Sequence, residues 1–419
     1  ARGRIMKKLI SALLCVSGIS FASMIGVDAL GEEQIAGGSA AMAGRGFAGN
    51  AKTGDAEGVS VVNPARQAFD TKVVLNLNFL LNVTTASRSS SSFTTSGISM
   101  PSMNLSFPMG DFGALGVSLW QHYASSIRED FHNEKENWDA EIEYQSSIYE
   151  LVPTYAIRLP FLRMVSLGAS AHFVMGSFTR SLTLGPDNSG IAKEDAWATN
   201  SATVSDYVKG EWEIKHHPAY YTIAAQYRGR MASYFFSVTT PYTLSNELQY
   251  DFRFSEMDTL APMRSTREIR VPAMLATGVN YRINKRHNVM VDVAWRAWDR
   301  DIENVAGSWG MSEITKTQND FNFSVGYQRD GSGVFYDAYW DRIAYRAGLW
   351  YKNWYVEDVS EIGGSIGAGL PLGRKGMMLD LAIQGGARLT DDDRNWSEGF
   401  FGIRLGLVGV GSWGKTRGQ

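Results

Sequence analysis

VVLNLNFLLN, residues 73–82, places Val73, Leu75, Leu77 and Phe79 on one side of an extended chain and Asn76, Asn78 and Asn82 on the other, because strand side chains alternate with a period of two. The pattern recurs down the chain. Phe321, Phe323, Val325 and Tyr327 oppose Asn322, Ser324 and Gln328; Val289, Val291, Val293 and Trp295 oppose Asp292 and Arg296. Ile343, Tyr345 and Leu349 oppose Arg346, and Leu379, Leu381 and Ile383 oppose Asp380 and Gln384. A sandwich with one wet face also alternates. Length favours a different solution: many of these segments run about ten residues or more, enough for a tilted strand to cross a bilayer.

Fourteen such segments can be laid out: 72–85, 98–109, 113–131, 139–159, 164–183, 205–228, 232–254, 265–283, 287–299, 319–329, 342–352, 362–370, 376–389 and 396–409. Single-chain bacterial barrels have even strand counts. The connections alternate in length, as short periplasmic turns and long external loops do in such barrels. Tight turns are expected at Met109–Gly113, Leu159–Met164, Arg228–Ala232, Arg282–His287 and Leu370–Gly376; longer links at Thr85–Gly97, Leu184–Val204, Asp299–Gln318 and Lys352–Glu361. Arg329–Arg342 is long on the side that should be short. Aromatics cluster near strand ends (Trp120 and Tyr123, Tyr220 and Tyr221, Trp295 and Trp298, Trp350 to Tyr355, Trp396 to Phe401), which reads as interfacial girdles. Pro153, Pro218, Pro241 and Pro272 each delete a ladder donor and suggest bulges or kinks in the wall. The expected fold is all-β: a transmembrane antiparallel β-barrel of about fourteen strands over 72–413, with a tail at 414–419.

The front of the chain explains how it would reach a membrane. Met6–Ala22 has Lys7 and Lys8, an apolar run from Leu9 to Val16, and small Ser20 and Ala22 at the spacing signal peptidase reads. Residues 1–22 are therefore upstream residues plus a signal peptide, and the mature chain starts near Ser23. Cys15 follows Leu14 rather than a small residue, so it reads as part of the leader and not as a lipid anchor. It is the single cysteine, so the mature chain has no disulfide and no thiolate metal site. A net charge of -3 gives nucleic-acid binding no electrostatic support.

Between leader and strands lies the glycine- and alanine-rich stretch Gly37–Ala65. A barrel of this size has a lumen too wide for its own side chains to fill. Small residues let irregular backbone pack inside, where it is tolerated because it faces protein and not lipid. Asn63-Pro64 would turn the chain into the first strand.

Gly37-Gly38-Ser39-Ala40-Ala41-Met42-Ala43-Gly44-Arg45-Gly46-Phe47-Ala48, then Asp55-Ala56-Glu57-Gly58 and Asn63-Pro64-Ala65, resembles the N-terminal hatch of the FadL/TodX outer-membrane transporters of long-chain fatty acids and aromatic hydrocarbons. Ile269-Arg270-Val271-Pro272-Ala273 through Gly278-Val279-Asn280-Tyr281-Arg282, followed by Ala294-Trp295-Arg296-Ala297-Trp298, is similar to that family's Pro-to-Trp-x-x-Trp double strand. Tyr345–Leu349, Gly367–Pro371 and Phe401–Leu407 are similar to its closing strands.

The resemblance implies a hatch over 23–71 with Gly44, Arg45, Gly46, Asn63, Pro64 and Ala65 at its centre. It implies an outer-membrane location in a Gram-negative (diderm) bacterium, with several membrane passes. It also implies uptake without an energy source: an apolar compound enters from outside, rests in a lumenal pocket and leaves sideways through a kinked wall strand. By order that strand is the third, Gly113–Phe131, with Gly116 a candidate kink. The implied partners are hydrophobic small molecules, outer-membrane lipid and the barrel assembly machinery; no cofactor is implied. That machinery commonly reads a terminal aromatic, whereas here Gly414–Gln419 follow Trp413.

The alternation puts Glu150, Arg270, Asp292, Arg296, Arg346, Asp380 and Arg404 on the lumen side. Arg270, Arg296 or Arg346 would suit a substrate carboxylate, with Met274, Val152 and Ile148 as apolar lining. The same charges would equally serve as an ion-pair ladder bolting plug to wall. Enzymatic signals are thin: His216-His217 would point to opposite faces of a strand, and Asp391-Asp392-Asp393 lacks the glycine and terminal glutamate of a calcium loop. The rival readings are a barrel of the same build acting as an adaptor in protein secretion, and an open polar-channel porin.

Overall fold

The computed structural model of the protein describes residues 23, 30–34, 38–54, 58–88, 91–133, 138–186, 206–214, 218–253, 263–298, 317–373, 376–390 and 397–411. The leader, His216-His217, Asp391–Asp393, Trp396, the tail, and most of the links Leu184–Val204 and Asp299–Gln318 lie outside them.

Fourteen antiparallel strands build the wall. They are β1 (Val73–Arg88), β2 (Ser91–Pro108), β3 (Ala114–Asn133), β4 (Trp138–Arg158), β5 (Val165–Pro186), β6 (Asp206–Ile214 and Ala219–Arg228), β7 (Ala232–Thr239 and Tyr242–Arg253), β8 (Met263–Val271 and Met274–Arg282), β9 (His287–Arg296), β10 (Asp320–Arg329), β11 (Ala344–Asn353), β12 (Val359–Leu372), β13 (Met377–Thr390) and β14 (Ser397–Gly411). Each pairs with the next, and β14 pairs with β1 from Ser397 opposite Ser87 to Gly411 opposite Val73. Closure pairs the sheet's two outer strands with each other, as a barrel in lipid requires.

The wall is apolar outside and polar inside. Leu75, Leu115, Val117, Leu151, Ile223, Phe236, Leu349, Ile366 and Leu407 are exposed, while Asn76, Asn78, Ser106, Thr154, Gln226, Ser324 and Gln328 are buried. This is the inverse of a soluble protein and the pattern of a barrel in lipid. The aromatic clusters split by the same parity: Tyr220 is 2% exposed and Tyr221 54%, Trp350 3% and Tyr351 42%. Only half of the expected girdle therefore faces outward. Trp120, Tyr123, Trp298, Trp354 and Tyr355 lie inside: Trp120 follows the inward parity of Ser118, the register shift at His122 brings Tyr123 in as well, and Trp354 and Tyr355 come after the end of β11 at Asn353.

Three other expectations change. The serine run is not a long loop: β1 continues to Arg88 and β2 starts at Ser91, with Thr85 Oγ1 3.0 Å from Thr94 Oγ1. Polar β-formers extend the hairpin there without an apolar face. The third strand is irregular not at Gly116, which pairs regularly with Ser106 and Thr154, but at His122, where the register to β4 shifts between Gln121 and Tyr123. The prolines interrupt more than single bonds. β6, β7 and β8 each break in two at Pro218, Pro241 and Pro272, and the β4–β5 ladder skips Pro153.

The N-terminal segment lies within this wall. Residues 38–52 and 58–70 are buried. A single helical turn, Ala40–Ala43, is capped by Ser39, whose Oγ accepts from Met42 N at 3.2 Å. A 3-10 turn, Pro64–Phe69, carries Pro64 at its start, where a missing N–H costs nothing, and leads to β1. Backbone touches backbone where the segment meets β11: a Cβ on Gly46 (φ +63°) would lie 2.5 Å from Leu349 N, and one on Gly348 2.0 Å from Arg45 C. Only facing glycines permit that approach.

Candidate functional site

The buried segment is held by wall side chains at both ends of its course. Asp292 on β9 accepts Gly49 N, Asn50 N and Asn50 Nδ2 on one oxygen at 2.9, 2.8 and 3.0 Å. Asn63 Nδ2 donates to Asn50 O and to Gln226 Oε1 on β6, and Ser166 Oγ on β5 donates to Ala65 O. Arg45, fully buried, donates through Nη1 to Gln328 Oε1 at 2.8 Å. Gln328 Oε1 also receives Arg346 Nε, and Arg346 in turn pairs with Asp380. Arg404 donates to Gly38 O at 3.0 Å and Gln34 Oε1 at 3.2 Å.

Glu33 is the hub of a larger network. Its carboxylate takes Arg296 Nη1 from β9, Lys352 Nζ from β11 at 3.1 Å and His122 Nε2 from β3 at 3.1 Å. Burial alone would raise its pKa, but these three partners hold Glu33 well below the usual carboxylate range. His122 Nδ1 meets Glu150, which also accepts His172 Nδ1 at 2.9 Å and Tyr220 OH at 2.7 Å. Ser170 Oγ and Thr222 Oγ1 lie 3.1 and 3.0 Å from His172 Nε2. Ser170, His172 and Glu150 thus have the order of a nucleophile, a base and an orienting acid. Yet Ser170 is 3% exposed, and Glu150 is shared with His122 and Tyr220. The arrangement ties four strands, β3 to β6, to one another and, through His122 and Glu33, to the segment.

A second cluster sits beside it. Arg388 on β13 donates from Nε to Glu361 at 2.9 Å, from Nη1 to Glu398 at 2.7 Å and from Nη2 to Glu32 at 2.6 Å. Among the described residues no group of histidine, cysteine and carboxylate side chains is arranged to hold a metal ion.

Between Asp292 and the Glu33 hub lies a cavity of about 60 Å³, lined on its apolar side by Val61, Val62, Trp120, Phe235, Met274 and Ala276. Trp120 Nε1 and Asp292 Oδ1, on its lining, have no protein hydrogen-bond partner. The space takes a few water molecules; a benzene-sized guest needs about 150 Å³. A wider vestibule of about 800 Å³ opens at the short-turn end, bordered by Lys52, Asp330, Phe335 and Arg342. The unexpectedly long link Arg329–Arg342 forms part of its rim and carries the helical turn Tyr339–Arg342.

The wall is parted beside the cavity. β2 and β3 pair only from Pro108 opposite Ala114 to Ser102 opposite Trp120. Beyond that point β3 pairs instead with the segment, Glu33 opposite Tyr123 and Glu32 opposite Ala124, and Gln34 N donates to His122 O at 2.8 Å. Pro101, the next residue of β2, has no N–H to continue the ladder. Leu30 and Gly31 are clasped by Tyr355, whose hydroxyl accepts from Leu30 N at 3.1 Å and donates to Gly31 O at 3.0 Å.

The structure brings together most of the residues singled out from sequence. Gly44, Arg45, Gly46, Asn63, Pro64 and Ala65 are all buried against the wall. Arg296 and Met274 both border the cavity, with Arg296 Nη2 3.5 Å from Met274 Sδ. Arg346 lies in the separate Asp380–Gln328–Arg45 chain. Arg270 does not face the lumen: it is exposed, while Ile269 and Val271 are 1% exposed. The Pro272-Ala273 break shifts the parity of β8, and a one-residue slip turns every side chain over. Glu32, Glu33, His122, His172, Lys352, Glu361, Arg388 and Glu398 were not anticipated. The signal for Glu32-Glu33 was present, two adjacent acids shortly before the small-residue stretch that begins at Gly37.

A family model named BamG matches residues 29–417. No curated protein sequence matches the chain. Among solved structures, a Pseudomonas aeruginosa FadL homologue superposes with a TM-score of 0.63 at 13% identity, over 92% of this chain and 100% of that one. The Pseudomonas putida toluene transporter TodX gives 0.59 at 13% identity over 91% and 100%, and the CymD monoaromatic hydrocarbon channel 0.56 at 14% over 92% and 100%. At such identities the likeness concerns the fold, a closed fourteen-stranded antiparallel barrel. With nearly its whole length matched, the chain belongs to the BamG family, a family of FadL-like barrels.

Proposed function

We propose that the protein is an outer-membrane channel for passive uptake of hydrophobic compounds, with residues 23–71 serving as its hatch. The observation that carries this reading is the parted wall. Where β2 leaves β3, the two-residue pairing of Glu32-Glu33 lies along the β3 edge, and the mostly apolar cavity lies immediately inside. Withdrawing Glu32-Glu33 from β3 would join cavity to lipid without crossing water, and an apolar guest gains from burial in proportion to its area. Arg296, next to Met274, is the arginine placed to meet a carboxylate head once Glu33 has left it.

A 60 Å³ cavity cannot hold such a guest without that movement. This favours a second reading, in which the lumen stays sealed and the barrel is a membrane-embedded adaptor for other proteins.

One experiment separates the two. The detergent-extracted protein is analysed by mass spectrometry for bound lipid and for co-purifying protein. A fatty acid or hydrocarbon at one equivalent, lost on replacing Arg296 with Gln or Met274 with Glu, supports uptake. A stoichiometric protein partner with no apolar ligand supports the adaptor.

A further inference from the structure

Ser23 is tightly held against the wall. It is 1% exposed; its hydroxyl donates to both oxygens of Glu398, at 2.9 and 3.2 Å, and its carbonyl accepts Ser125 Oγ from β3 at 3.1 Å. Glu398 belongs to the cluster in which Arg388 serves three carboxylates, Glu32, Glu361 and Glu398. Among the described residues Arg388 is the guanidinium that these three carboxylates share, and the nearby Lys352 ammonium pairs with Glu33. Buried charge of one sign is expensive. The imbalance is felt at Glu32, whose carboxyl is pushed up to about 7 by burial and by its two acidic neighbours, against the pull of Arg388 and Lys352. The residue gripped at this point is also the first after the small-residue cleavage signal Ser20–Ala22.

We propose that Ser23 is the amino terminus of the mature protein and that its α-ammonium is the second cation of the Glu32–Arg388–Glu361–Glu398 cluster. The α-nitrogen belongs to the residue whose hydroxyl already reaches Glu398, and an ammonium there makes charge-assisted hydrogen bonds. Cleavage of the leader converts a neutral amide into that cation, so the hatch is bolted to β13 and β14 only after export. The device is the same whether the barrel is a channel or an adaptor.

The test begins with protein purified from outer membranes. N-terminal sequencing is expected to start at Ser23; any other start overturns the proposal. Amine-reactive labelling at pH 8.5 should spare the Ser23 amine in the folded protein and modify it after denaturation; equal labelling in both states overturns the proposal. Two variants then separate charge from hydroxyl. Ser23→Ala keeps the ammonium and loses the hydroxyl; two glycines inserted between Ala22 and Ser23 keep the hydroxyl and displace the ammonium. An ordinary α-amine titrates near about 8, and pairing with carboxylates raises that value in the folded state. Its contribution is therefore complete below about pH 8 and lost as pH rises through the raised value. The unfolding midpoint of the wild type should fall between pH 8 and 10. The inserted variant should start several degrees lower and lose this pH dependence, and Ser23→Ala should retain it. The opposite ranking of the two variants overturns the proposal.

Discussion

Pro241 of β7 and Pro272 of β8 stand opposite each other at the point where their ladder is interrupted, between the pairs Tyr242–Val271 and Thr239–Met274. Neither ring has an N–H to offer, and inside-outside parity reverses there in both strands. On one side Phe236, Val238 and Leu275 face outward; on the other, Thr243 and Arg270 do, while Tyr242, Leu244, Ile269 and Val271 are buried. Deleting Ala273 removes the reversal from β8 alone: Ile269, Val271 and Ala276 can then share one face of an unbroken strand, while β7 still reverses at Pro241. The pairs Tyr242–Val271 and Thr239–Met274 can no longer be kept together, so one half of the ladder must slip by a residue and turn its buried side chains outward. The cost is about 1.5–3 kcal/mol for each apolar side chain removed from the core. The unfolding midpoint, followed by heat-modifiable electrophoretic mobility, should drop sharply, whereas Pro272→Ser, which keeps the residue count, should remain near wild type. Equal stability of the two variants would mean that parity does not set the break.

The gap between β2 and β3 makes a second prediction. Glu32 and Ala124 are paired across it, at a spacing that suits a cross-strand link, and the sequence has no cysteine after Cys15. With cysteines at both positions, oxidation should fix the segment to β3. In the uptake reading, transport of a labelled fatty acid should fall at least tenfold on oxidation and recover with reductant. Transport indifferent to the crosslink would place the route elsewhere.

The sequence carried the wall almost completely, because a period of two repeated fourteen times is a strong signal that needs no knowledge of tertiary contacts. It carried the lumen less well. Asp292, Arg296, Arg346, Asp380 and Arg404 were placed inside by counting from neighbours in unbroken strands, and all are buried. The same count failed at Arg270, because the two-residue break at Pro272-Ala273 lies between it and the reference residues. The partners could not be read at all: the bonds of Glu33 to β3, β9 and β11 join residues far apart in sequence. Pro101 was a legible clue to the parted wall, since a proline in β2 must lose a ladder bond.

Glu33 is the residue whose loss should loosen the hatch most. Glu33→Ala would leave Arg296 and Lys352 buried without their shared carboxylate. Breaking one side of a buried ion pair costs about 3–5 kcal/mol. Glu33→Gln preserves the shape and one acceptor and should cost less. Planar-bilayer recordings should show larger or more frequent conductance steps for the alanine variant, with the glutamine variant between it and wild type. Unchanged conductance together with unchanged stability would remove the hub from the account of closure.

Asp292 tests the other end of the segment without touching the parted wall. One carboxylate oxygen receives three donors from Gly49 and Asn50, and each buried donor left unsatisfied costs about 1–3 kcal/mol. Asp292→Ala should therefore free the turn at residues 49–50 while the strands around it stay paired. Hydrogen exchange at the Gly49 and Asn50 amides should accelerate by about tenfold or more, with β9 and β10 amides little changed. Asp292→Asn retains a carbonyl acceptor and should fall between the two. Exchange that rises equally in β9 would mean that Asp292 supports the wall itself, and protection of Gly49 surviving the alanine variant would assign the hold to Arg45 and Gln328 instead.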